Sequence, residues 1–122
     1  MIKLKTEREI EMMRQAGALA AQAMVLVGES IRPGMKTQEV DDIFWKFVRA
    51  HGGKASFYRY GGFPGHICIS INDEIVHGIP GDRVIQEGDI VSVDLGVELH
   101  GYQSDMAKTF FAGKCSKEAH RL

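Results

Sequence analysis

At 122 residues the chain is long enough for one domain with a real core, and 44% hydrophobic with 25% charged residues is a folded globular composition, which excludes intrinsic disorder. Fifteen basic against sixteen acidic side chains, with no basic run, leave no footprint for nucleic acid or an anionic membrane. The opening "MIKLKTEREIEMMRQ" lacks the apolar core of a signal peptide and no apolar run approaches ~18 residues, so a cytoplasmic chain is expected.

Thr6 followed by Glu9 fits a capping box, and Ile10, Met13, Gly17, Ala20, Met24 and Val27 recur at helical spacing. A first amphipathic helix is therefore predicted from near Glu7 to before Pro33-Gly34. Thr37 is the expected cap of a second helix through "EVDDIFWKFVRAH", with Val40, Ile43, Phe44, Phe47 and Val48 as its apolar stripe and Gly52-Gly53 as its end. From Ala55 the pattern changes to short, β-branched, glycine-punctuated segments: "HICISI", "EIVHGI", "DIVSVDLGV" and "YQSDMAKTFF". Helices followed by antiparallel strands predict an α+β domain with two helices packed on one face of a sheet. Ser116 offers a cap to "SKEAHRL", a helix that stops after roughly two turns. Cys68 and Cys115 have no CxxC spacing, which argues for free thiols over a zinc or redox motif.

Asn72-Asp73 suits a two-residue turn, and that register sets Cys68 opposite His77. The pair reads either as a thiolate and imidazole for nucleophilic catalysis or as an inert buried thiol beside a strand-ending histidine. The second hairpin carries two aspartates, Asp94 and Asp105, that enclose ten residues, an even number. With a two-residue loop at His100-Gly101, Asp94 faces Ala107 and Asp105 faces Gly96, making the carboxylates diagonal neighbours on one face. A loop at Leu99-His100 sets them directly opposite, and a three-residue loop without a bulge puts them on opposite faces. Like charges side by side repel, so they either share a solvated polar face or hold a divalent cation.

Together, "YGGFPGHICISINDEIVHGIP", "GDIVSVDLGVELHGYQSDMAKTF" and the Thr-capped first helix resemble the N-terminal half of a bacterial-type methionine aminopeptidase. The resemblance covers almost the whole chain. It implies the pita-bread fold, two pseudo-symmetric halves around two divalent ions of cobalt, manganese, iron or zinc, and removal of the initiator methionine from nascent chains near the ribosome. It implies Asp94 and Asp105 as metal ligands, Asp105 bridging, and His77 of the HGIP motif as a catalytic residue that contacts substrate. Tyr60, Phe63, Cys68 and Phe57 match positions lining the methionine pocket. In such a centre the metal lowers the pKa of a bridging water and polarises the carbonyl.

Residues 1–122 then read as a single truncated domain, because the family's remaining ligands lie in a C-terminal half; His120 is the only histidine after Asp105 and stands in the wrong context to replace them. The expectation is weak or absent metal binding, no significant peptidase activity from an isolated monomer, and an apolar sheet edge that favours dimerisation or aggregation. Two alternatives are a noncatalytic pita-bread binding module and another pita-bread peptidase such as a proline-specific aminopeptidase.

Overall fold

The computed structural model describes residues 6–55, 65–72 and 78–113. Helix α1 runs Glu7–Ser30 and starts as the sequence predicts: the Thr6 hydroxyl accepts from the Glu9 amide at 3.1 Å and the Glu9 carboxylate accepts from the Thr6 amide at 3.2 Å. These bonds satisfy helix-end donors that would otherwise have no partner. Its buried face is Ala16, Leu19, Ala20, Ala23, Met24 and Val27, whereas Ile10 and Met13 are 49% and 39% exposed. The expected stripe thus holds only from the third turn.

Helix α2 spans Thr37–Ala50 and buries Val40, Phe44 and Val48 completely. It ends in a Schellman motif, with Gly52 at φ +80° and the Gly52 and Gly53 amides donating to the Arg49 and Val48 carbonyls at 3.1 and 2.9 Å. Its start corrects the prediction, because Thr37 is the first helical residue and Lys36 is the cap position. The Glu39 carboxylate accepts from the Lys36 amide at 2.9 Å. The Thr37 and Gln38 amides donate to the carbonyls of Arg83 and Gly81 at 2.9 and 3.0 Å. A distant loop, and not the threonine hydroxyl, satisfies this helix end.

The sheet is antiparallel and centred on β3 (Ile90–Leu99). Strand β4 (Tyr102–Phe111) pairs along all of one edge of it; β2 (Ile67–Ile71) and the two-residue β1 (Lys54–Ala55) pair along the other. Val91, Val93, Leu95 and Val97 of β3 are at most 1% exposed and face the helices, while Ser92 and Asp94 between them are exposed. Period-two alternation therefore divides the sheet into a helix-covered face and an open polar face. Helix α1 lies over β3 and β4, and α2 packs on α1, β1 and β2. The approach of α1 to β4 requires Gly28, where a Cβ would run into the Phe110 ring. No helix among the described residues is long and apolar enough to cross a membrane.

Candidate metal centre

The β3–β4 hairpin closes through His100 and Gly101, at φ +55° and +84°. Positive φ at both central residues is the type I′ turn, whose twist matches that of the flanking strands. This loop sets Leu99 opposite Tyr102, Asp94 opposite Ala107 and Asp105 opposite Gly96. Of the registers left open by the sequence, the structure takes the diagonal one. Both aspartates stand exposed on the open face of the sheet. Diagonal neighbours lie about 7–8 Å apart along the backbone, within convergence range of two side chains. Each aspartate faces a residue with little or no side chain, Ala107 or Gly96, which leaves room for that convergence.

Cys68 of β2 is the direct cross-strand partner of Asp94 on β3. It is half-buried, and burial first, then the Asp94 charge, pushes its thiol above the ordinary value. A thiol held protonated beside a carboxylate is a poor nucleophile, which argues against thiolate catalysis here. Cys68, Ser70, Ser92, Asp94, Ala107 and Thr109 line an open groove of about 350 Å³; Asp105 is not part of its lining. The Ile69 amide donates to the Gly78 carbonyl at 2.7 Å. Asp73 of the two-residue turn expected at Asn72-Asp73, and His77 of the Cys68–His77 pair that it would make, fall outside the described residues; Asn72 is at φ +56°. His77, Tyr60, Phe63 and Phe57, together with Cys115, Ser116 and His120, lie outside the described residues.

Asp94 and Asp105 supply hard oxygen donors of the kind divalent cations take. Among the described residues no group of three or more histidines, cysteines or carboxylates comes together. The donor set fits a shared part of a divalent site and falls short of an all-protein cage.

Sequence reasoning missed one further polar group. Asp41, 1% exposed on α2, accepts through Oδ1 from the amides of His66 and Ile67 at 2.7 and 2.9 Å. Its Oδ2 lies 2.8 Å from His66 Nδ1, which carries the proton when it faces a carboxylate. The His66 ring stacks on Trp45, centroids 4.6 Å apart. The available signal was an acidic residue set between Val40 and Phe44, on the inward side of an amphipathic helix.

Comparison with known proteins agrees with this architecture. The profile of metallopeptidase family M24 matches residues 11–122. The chain is 46% identical to methionine aminopeptidase of Clostridium perfringens, covering 100% of this chain and 49% of that relative. It is 44% identical to methionine aminopeptidase 1 of Bacillus subtilis, covering 100% of this chain and 49% of that relative. The crystal structure of methionine aminopeptidase from Rickettsia prowazekii superposes with a TM-score of 0.90 at 35% identity, over 100% of this chain and 49% of that one. The chain spans about half the length of the curated relatives it matches. Its two helices and antiparallel sheet are thus about half of a pita-bread fold, in a family that uses divalent metal. A profile match across nearly all of the chain, on a hairpin that sets two carboxylates side by side, means that the protein belongs to metallopeptidase family M24.

Proposed function

We propose that the chain is the metal-carboxylate half of an aminopeptidase that removes N-terminal methionine from nascent polypeptides in the cytoplasm. The observation that carries this reading is the hairpin register, which sets Asp94 and Asp105 as diagonal neighbours on the open face of the sheet. The names of its relatives in Clostridium perfringens and Bacillus subtilis supply the reaction. In this reading Asp94 and Asp105 hold part of a pair of divalent ions of cobalt, manganese, iron or zinc, and their negative charge also favours approach of a peptide's free ammonium group. A divalent ion bound there supplies a Lewis acid and a water acidic enough to ionise near neutrality. Cys68 takes the place of a polarizable wall for the methionine side chain, a role that suits its protonated thiol. By the same family resemblance Tyr60, Phe63 and Phe57 serve the methionine pocket, and His77 contacts the substrate near the scissile peptide and helps to stabilise the reacting amide.

Two donors are too few for tight binding, so this chain alone holds metal weakly and releases no methionine. The free edge of β4, which among the described residues pairs only with β3, and the exposed Ile90 and Met106 favour self-association. The test is methionine release from Met-Ala peptides by the full gene product, with divalent metal or chelator. Chelator-sensitive release that Asp105→Asn abolishes without unfolding supports the reading. Full activity in that variant, or release from Xaa-Pro peptides alone, refutes it.

A further inference from the structure

Thr37 and Asp41 are the buried polar side chains among the described residues, at 2% and 1% exposure, and they sit one turn apart on the same face of α2. Burial of a hydroxyl and a carboxylate costs free energy unless both are fully hydrogen-bonded, so their partners matter. Asp41 takes the amides of His66 and Ile67, where β2 begins. Thr37 reaches Gly81: its Oγ1 accepts from the Gly81 amide at 2.8 Å and lies 3.2 Å from the Gly81 carbonyl, to which it donates. Two backbone bonds flank that contact, Thr37 N to Arg83 O and Gln38 N to Gly81 O. Both side chains reach across the chain, by 25 and 44 residues, to the two flanks of one segment.

We propose that Thr37 and Asp41 are positioning residues that clamp the two flanks of segment 66–81 to α2. That segment carries Cys68 and the HGIP motif, so one helical turn sets the strand start before Cys68 and the anchor directly after Pro80. The β3–β4 hairpin with Asp94 and Asp105 receives neither side chain; its register comes from its own turn. The clamp therefore governs the substrate side of the groove separately from its carboxylates. Assigning that side to substrate rests on the function proposed above, whereas the clamp does not.

Amide hydrogen exchange on the 122-residue chain separates the two. Thr37→Val, which keeps volume and removes the hydroxyl, is expected to speed exchange at Gly81 about tenfold. Thr37→Ser should restore the wild-type rate. Asp41→Ala should speed His66 and Ile67 by about tenfold or more, with Asp41→Asn in between because it keeps one oxygen for the two amides. Amides of Val91–Leu99 and Tyr102–Phe111 should stay within about twofold of wild type in every variant. If Asp41→Ala does not fold, Asp41→Asn and the Thr37 pair carry the test. Exchange that rises equally throughout the sheet, that does not change at either flank, or that Thr37→Ser fails to restore overturns the proposal. In the full gene product the same Thr37→Val change should raise KM for Met-Ala peptides more than it lowers kcat. An inactive full product with the exchange pattern intact would refute the functional reading and leave the clamp standing.

Discussion

The β3–β4 hairpin and strand β2 reach the same open face of the sheet by different means. The hairpin is self-registering: a two-residue turn at His100-Gly101 fixes ten cross-strand pairs and with them the placement of Asp94 and Asp105. The 66–81 segment is held from outside, by a carboxylate and a hydroxyl on α2 that lie far away in the chain. A sheet assembled this way can shift the flanks of the 66–81 segment without disturbing the carboxylates, because no hydrogen bond of Thr37 or Asp41 touches the turn that registers them.

The most disruptive test of this contrast is one residue inserted between His100 and Gly101. It reverses the parity of the hairpin and sends one aspartate to the helix-covered face. Weak Mn²⁺ or Co²⁺ binding to the chain should vanish by calorimetry, and metal-dependent turnover of the full product with it; retained binding would show that the register does not govern the site. Phe44→Ala should cost about 3–5 kcal/mol, because its ring is wholly buried where α2 meets the shared core. Urea unfolding should show both regions losing stability in one transition. Gly101→Ala places a Cβ at φ +84° and should cost about 1–2 kcal/mol. That loss should appear as faster exchange near the turn, with His66 and Ile67 unchanged.

The smallest effect concerns Cys68, where the two regions meet. Its thiol is raised by burial and then by the Asp94 charge, so the folded chain keeps this proton to higher pH than the unfolded chain. The associated stability is complete below the unfolded thiol pKa and is lost as pH rises through the folded one. In a Cys115→Ser background, alkylation of Cys68 should have a midpoint above that of the same chain in urea. Asp94→Asn should lower the midpoint only part of the way, since burial is the larger cause. Equal midpoints in folded and unfolded chains would contradict the placement of Cys68 against Asp94.

Both helix limits that depend on adjacent residues were legible in the sequence. Thr6 and Glu9 are three positions apart and complete a local ring of hydrogen bonds, and Gly52 adopts the left-handed stop that residues with a Cβ resist. The exposure of Ile10 and Met13 was not legible, because periodicity shows which face of a helix is apolar but not how far its cover extends. Thr37 has the right residue type for a cap, yet its hydroxyl serves Gly81. The short β1 lies below the length at which alternation carries information.

What the chain's order of residues determined by itself is local chemistry: a His100-Gly101 pair suited to a tight turn, and an even spacing between the aspartates that puts both carboxylates on one face for any two-residue loop. These follow because a strand's side chains alternate with a fixed period and a tight turn admits few registers. Tertiary structure alone decided that Asp41 seats β2, that Thr37 holds Gly81 and that Cys68 meets Asp94. Each of those is a bond or pairing between residues more than twenty positions apart: the first two arise because a buried polar group must find a partner somewhere, the third from the pairing of β2 with β3, and no local pattern says where.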